Sequence, residues 1–263
     1  MKKFICVLAG LMIMQITGGI TMAAPSAEEI INKANLAAYY AGSDGRSEVI
    51  MTITDGQGRV RTREFVILRR GIKDGGEQKF YVYFKKPSDV RKMVFMVHKH
   101  IDRDDDRWMY LAKLDLVKRI AGSDKRTSFV GSDFFYEDVS GRGVDEDVHE
   151  LVEETDKYYV INNIPKNLAE VEFSSYKVWI DKLSFLPGKA EYLDSEGRKY
   201  REVEALEVKG VQGFPTVVRS RVKDLLDGSE TVSEFRNIRY DIGLKDQIFT
   251  ERYLRRPPRE VRK

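Results

Sequence analysis

Cysteine is almost absent from these 263 residues: the single one, Cys6, lies near the start. A lone thiol builds no disulfide framework, and Cys6 comes too early to follow a full apolar segment as a lipid-modified cysteine would. Histidine is nearly as scarce, with three copies. There is no Gly-x-Ser-x-Gly elbow, no His-Glu-x-x-His pair and no phosphate-binding glycine loop, so the usual signatures of serine hydrolases, zinc proteases and nucleotide enzymes are missing. Beyond the first two dozen residues no apolar run is long enough to cross a bilayer, because charges interrupt every later segment. The 45 Lys and Arg nearly cancel the 42 Asp and Glu, which gives no footprint for nucleic acid. No fixed-period repeat and no low-complexity segment appears.

What is present begins with a secretory layout: Lys2 and Lys3, an apolar run from Phe4 to Ile16, then small residues around Thr21, Ala23 and Ala24. Cleavage is expected after Ala23 or Ala24, so that residues 1–24 form a leader and residues 25–263 one all-β domain, of a size ordinary for a sandwich or barrel. Loss of Lys2 and Lys3 takes the formal charge from +3 to +1. An exported chain without disulfides fits a bacterial periplasm better than a disulfide-dense extracellular module.

Ser26-Ala-Glu-Glu29 has the spacing of a capping box, and Ile30, Ala34, Ala37, Ala38 and Ala41 follow on one face, which predicts a helix over 27–41 ending before Gly42. From Arg46 the period becomes two. Strands are expected around 46–54, 60–68, 80–84, 93–97, 108–111 and 116–120, and again over 158–161, 171–181, 186–193, 199–208, 216–224 and 231–240. Short turns such as Asp55-Gly-Gln-Gly58 and Asp194-Ser-Glu-Gly197 make the sheet antiparallel. Residues 140–156 read as a polar loop or mobile edge. Thr250 is placed to cap a last helical turn, with Phe249 and Leu254 as its staple, and the basic tail from Arg255 to Lys263 reads as solvated.

Several strands are apolar on both faces, which a two-layer sheet wetted on one side does not need. A curled sheet with a helix on one side and an enclosed space on the other does. Alternation nominates Met51, Ile53, Phe80, Val82 and Phe84 as lining residues, followed by Met93, Phe95, Trp108, Tyr110 and Trp179. Core packing is the ordinary fate of any one of them, but a set rich in Met and aromatics suits a surface that re-packs around variable apolar partners.

Between the two series of strands lies Phe129-Val-Gly131-Ser132-Asp133-Phe134-Phe-Tyr136-Glu137-Asp138, which does not alternate. It reads as a plug in which Ser132 or Asp133 caps a short helical turn. No histidine has a sequence reason to join the Ser-Asp pair, so capping outranks catalysis. His98 and His100, followed by Asp102, Asp104, Asp105 and Asp106, contain the elements of a metal cluster, but the calcium-loop spacing fails and a charged hairpin end explains them better. Neither a metal nor a cofactor is expected.

The series Trp108-Met-Tyr110-Leu111, then Phe129 to Asp138, then Trp179-Ile-Asp181 and Phe249-Thr250 with Leu254, resembles the outer-membrane lipoprotein-sorting family related to the carrier LolA. The central Gly131-Ser132-Asp133-Phe134 and Tyr136-Glu137-Asp138 pieces are its most specific part, matching together and in register. The resemblance implies a half-open, incomplete antiparallel β-barrel of LolA/LolB type covered on one side by a few helices. It further implies a non-enzymatic, monomeric periplasmic carrier whose apolar interior accepts acyl chains of a lipid or lipoprotein. The alternative it implies is an interaction module docking an inner-membrane transporter of the resistance-nodulation-division (RND) type or a signalling partner.

Overall fold

The computed structural model describes residues 25–262, so the expected leader, residues 1–24, and its expected cleavage after Ala23 or Ala24 lie outside the described residues. Helix α1 (Ala27–Tyr39) starts where the capping box predicts. Ser26 Oγ accepts from the Glu29 amide at 3.2 Å and Glu29 Oε2 accepts from the Ser26 amide at 2.9 Å, which satisfies two otherwise orphaned donors.

Six strands follow: β1 (Asp44–Thr54), β2 (Val60–Gly71), β3 (Gln78–Lys86), β4 (Val94–Lys99), β5 (Asp106–Leu111) and β6 (Leu116–Ile120). A connecting segment, residues 121–146, carries the short helix α2 (Tyr136–Ser140). Seven more strands come after it: β7 (Asp147–Glu154), β8 (Tyr158–Pro165), β9 (Ser175–Asp181), β10 (Pro187–Leu193), β11 (Lys199–Val211), β12 (Phe214–Asp224) and β13 (Glu230–Tyr240). All thirteen form one antiparallel sheet in the order β6-β5-β4-β3-β2-β1-β13-β12-β11-β10-β9-β8-β7. The first and last strands therefore pair in the middle of the sheet, and the two edges are the strands that flank the connecting segment. The sheet stays unclosed because that segment leaves it between β6 and β7.

Of the two readings of residues 140–156, the edge holds and the loop does not, since they contain the edge strand β7. Its Glu150, Glu153 and Glu154 are exposed, and charges on an edge oppose unwanted strand addition. The sequence reads as polar because this strand buries only Asp147.

β3 and β9 stand seven positions apart in the strand order, about 34 Å in a flat sheet at 4.8 Å per strand. They nevertheless line a common cavity, so the sheet curls. Helix α1 lies inside the curl, with Ile30 and Ala34 buried against Ile161, Val178 and Ile180.

The strands apolar on both faces are explained by two different covers. On the inner face Phe65, Phe84, Phe95 and Met109 pack beneath Phe129 of the connecting segment. On the outer face Val66, Leu68, Tyr81, Met96 and Trp108 pack beneath Leu244, Ile248, Phe249, Leu254 and Val261 from the chain's end. The tail from Arg255 onward is therefore docked rather than solvated: α3 (Arg252–Arg255) leads into it, α4 (Arg259–Arg262) lies on the sheet, Val261 is fully buried, and Arg46 Nε donates to Glu260 O at 2.9 Å. Thr250 is not a helix cap. Its hydroxyl donates backwards to Gln247 O at 2.9 Å, and the α3 N-cap position belongs to Glu251. Phe249 and Leu254 are both fully buried, held by the sheet more than by a staple.

Among the described residues the outer face of β10–β13 has no such cover. It carries a charge ladder in which Lys189 and Lys199 each pair with Glu191 and Glu202, and Arg221 pairs with Glu204. The same sheet is wet outside in one half and dry on both sides in the other.

Candidate ligand cavity

The curl, α1 and the connecting segment enclose a cavity of about 510 Å³. One wall comes from Val49 and Met51 of β1, Phe65 and Ile67 of β2, and Phe80 and Val82 of β3. The facing wall comes from Val178 and Ile180 of β9, Ala190 of β10 and Val203 of β11. Helix α1 presents Ala34, Ala37 and Ala38, small side chains that leave the space open, and Phe129, Phe134 and Val139 close one end.

That end is built by the non-alternating stretch. Phe129 is buried among Phe65, Phe84, Phe95 and Tyr136, with ring centroids 5.5–6.2 Å away. Edge-on packing of this kind holds a plug more specifically than area alone. Gly131 sits in its tight turn at φ 76°, where a side chain would be strained. Gly141, at the C-terminal end of α2, has φ 77°, and a Cβ there would lie 2.6 Å from the Tyr39 ring.

Ser132 and Asp133 hold the plug in place, but neither caps α2. The N-cap of α2 is Phe135, whose amide donates to Asp138 Oδ2 at 2.7 Å. Ser132 Oγ donates to Phe129 O at 2.7 Å and accepts from the Phe134 amide at 3.3 Å, which closes the local turn. The Asp133 carboxylate accepts from Ser229 Oγ and Thr231 Oγ1, both at 2.5 Å, and so ties the plug to the turn before β13 and to β13 itself. Sequence periodicity could not show this contact, because the partners are nearly a hundred residues away.

Glu137 and Asp138 form a second tether. Glu137 is 2 % exposed and lies 2.5 Å from Arg126 Nη1, 3.4 Å from Arg142 Nη1 and 3.6 Å from Lys125 Nζ. Arg126 continues as a fork onto Glu172, and Arg142 onto Asp147. Asp138 accepts from Arg201 Nη2 at 2.5 Å, and the Arg201 guanidinium stacks over Phe135 at 4.3 Å. Burial raises the pKa of the Glu146 and Glu172 carboxyls, but Lys125 and Arg142 beside the first, and Arg126 and Tyr200 beside the second, outweigh it and hold both below the usual carboxylate range. Sequence reading missed this latch, although one signal was present: Arg201 falls in phase with Val203 on β11, an arginine in an apolar row.

Of the lining residues nominated by alternation, Met51, Phe80 and Val82 stand on the cavity wall. Phe84, Met93 and Phe95 face the same side but pack into the cluster around the plug. Ile53 borders a smaller void of about 290 Å³ on the far side of the plug, with Ser132, Asp133 and Arg201. Trp108 and Tyr110 belong to the outer-face cluster under the C-terminal segment. Trp179 alternates with the inward Val178 and Ile180 and lies beneath the Lys189 ammonium, 5.5 Å from its ring, on the charged outer face. Alternation separates the two faces without saying which is inside, and β5 and β9 were assigned the wrong way round.

The histidines of the hairpin end serve local contacts. His98 Nε2 lies 2.7 Å from Phe249 O, and burial keeps its imidazole pKa low. His100 sits between Glu77 at 3.0 Å and Asp106 at 3.1 Å. Among the described residues no His, Cys, Asp and Glu gather into a group suited to a metal ion.

A family model described as an uncharacterized protein family matches residues 76–256. A solved DUF1329 family protein from Desulfovibrio piger is 31% identical, covers 87% of this chain and 97% of its own, and superposes with a TM-score of 0.79. The chain belongs to the DUF1329 family. Two further structures are similar to this DUF1329 chain. A domain from Vibrio parahaemolyticus, described as an outer membrane lipoprotein-sorting protein, is 25% identical, with a TM-score of 0.78 over 88% of this chain and 98% of that one. A LolA superfamily protein from Nitrosomonas europaea, at 19% identity, shares the fold, with a TM-score of 0.67 over 88% of this chain and all of its own. Among curated proteins no sequence matches. The chain is thus mostly β, a curled and unclosed antiparallel sheet whose fold is similar to that of the LolA superfamily protein.

Proposed function

We propose that this DUF1329 protein is a periplasmic carrier that shields the acyl chain of a lipid or lipoprotein on its way toward the outer membrane. The observation that carries the reading is the cavity itself: about 510 Å³, walled chiefly by Val, Ile, Ala, Met and Phe side chains, within the range of about 300–1,000 Å³ usual for small-molecule sites. The similarity to a lipoprotein-sorting domain supports the same direction. Each methylene moved from water into such a space gains about 0.8 kcal/mol. Ten of them supply about 8 kcal/mol, the free energy of a micromolar Kd, before the cost of ordering the chain.

The test is native mass spectrometry of the mature protein purified from cells, together with titration of a fluorescent fatty acid. Retained lipid and saturable probe binding are expected. The Ala205→Trp variant, which places an indole on the cavity wall, should lower probe affinity at least tenfold while the protein stays folded. A chain that is always empty and ignores the probe, while crosslinking to one inner-membrane transporter independently of lipid, would replace the carrier by the docking module.

A further inference from the structure

Three arginines border the cavity, Arg46 with its side chain turned to the outer face, and they are not equivalent. Arg46 pairs with Glu48 at 2.7 Å, and Arg142 pairs with Asp147 at 2.9 Å and Glu146 at 2.8 Å. Arg69 has no carboxylate within ion-pair distance among the described residues. Its Nη2 donates to the carbonyls of Ala41 and Gly42, just past the end of α1, and its buried Nη1 has no hydrogen-bond partner. The charged groups that act on it from a distance are Asp44 and Asp241, both already engaged: Asp44 accepts from the Ile242 and Leu244 amides and Asp241 from Ser43.

The position of Arg69 along its strand adds a direction. Phe65, Ile67 and Arg69 point to the same side of β2, and four residues of strand span about 13 Å. At the Phe65 end the cavity meets Phe129 and the apolar plug. At the Arg69 end its neighbours are Gly45 of β1 and the hydroxyls of Tyr240 and Thr216, which hydrogen-bond to one another at 3.0 Å. The cavity is therefore polarised: Glu137, Asp138 and Arg142, which line it near the plug, are paired with one another or with Glu146, Asp147 and Arg201, whereas the Arg69 end carries a cation with a donor to spare. A guanidinium held against an apolar space with an unused donor is costly by itself, and an arriving anion offsets that cost through charge-assisted hydrogen bonds.

We propose that the cavity takes an acyl ligand with an anionic head, carboxylate or phosphate, seated at Arg69 with its chain running toward Phe65 and Phe129. This rests on the carrier reading and narrows its ligand class. Neutral acyl chains are then the weaker ligands, and Arg69 is the residue that discriminates.

The test compares four probes of one chain length on the wild-type protein: hexadecanoate, hexadecyl phosphate, hexadecanol and hexadecyltrimethylammonium. Binding of the two anions at least tenfold tighter than the alcohol, with the cation weakest, is expected, and the ratio of carboxylate to phosphate tells a fatty acid from a phospholipid-like head. In Arg69→Gln the anions should fall at least tenfold to the level of the alcohol, whose own affinity should change less than twofold. Equal affinity of all four probes for wild type overturns the anionic head and leaves the carrier standing. Equal losses for anion and alcohol in the variant also overturn it, assigning Arg69 to holding the end of α1. No binding of any probe removes the carrier reading as well. The wild-type series needs no variant to fold.

Discussion

At the scale of single residues, the side chains that matter most are polar groups holding an apolar plug. Asp133 accepts two short hydrogen bonds from Ser229 and Thr231, and hydrogen bonds to a charged group contribute about 1.5–3 kcal/mol each. Asp133→Ala should therefore lower stability by about 2 kcal/mol or more, seen as a reduced urea midpoint; an unchanged midpoint would mean the tether is idle. Glu137 is more costly to remove, because Arg126, Arg142 and Lys125 would be left buried without their shared partner. Glu137→Ala should destabilise by about 3–5 kcal/mol, the range for breaking a buried pair. The same latch sets an acid limit. Glu146 and Glu172 have folded-state pKa values below their unfolded ones, so their stabilisation is complete above the unfolded value of about 4.3 and is lost as pH falls through the folded value. Denaturation midpoints should fall from pH 6 to pH 3.5, and the Glu146→Gln, Glu172→Gln double variant should show a shallower fall over that interval.

At the scale of elements, the C-terminal segment behaves as part of the core although it is short and charged. Phe249 and Leu254 are fully buried against Tyr81, Met96 and Trp108, and Tyr81 donates its hydroxyl to Tyr253 O at 2.7 Å. Phe249→Ala should cost about 3–5 kcal/mol, as for other buried aromatic truncations, with thermal unfolding as the readout. A loss below 1 kcal/mol would mean that the sheet holds its outer face without this cover. Helix α1 contrasts with it: its alanines pack on β8 and β9 at one side and leave space at the other, so its small residues fill less than they keep open.

At the scale of the whole molecule, the cavity and the fold are one object, because both walls, α1 and the plug must be in place for the space to exist. A ligand that binds only the folded chain then stabilises it by about 2.7 kcal/mol at a hundredfold excess over Kd. For a chain of this size that is about 5–10 °C in Tm. Saturating fatty acid should raise Tm by that amount in wild type and by much less in Ala205→Trp. Probe binding with no shift in Tm would mean that the probe binds the unfolded chain as well as the folded one, and would remove the cavity as its specific site.

What the sequence alone determined is local and periodic. The capping box at Ser26 and Glu29, the strand and turn alternation along most of the chain, and the broken alternation at Phe129 to Asp138 are read within a few residues, and local sterics and hydrogen bonding decide them. The inward phase of β1 and β3 was legible for Met51, Phe80 and Val82. What only the tertiary structure decided is which covering layer each face meets. A period of two says that Trp108 and Met109, or Val178 and Trp179, point opposite ways, and nothing in it says which side the C-terminal segment will cover. Arg69, Asp133 and Arg201 belong to the same class: the two arginines interrupt apolar rows, which marks them locally, but each of the three acquires its role from partners or from a cavity brought together by the curl, since burial and charge pairing are properties of the folded neighbourhood.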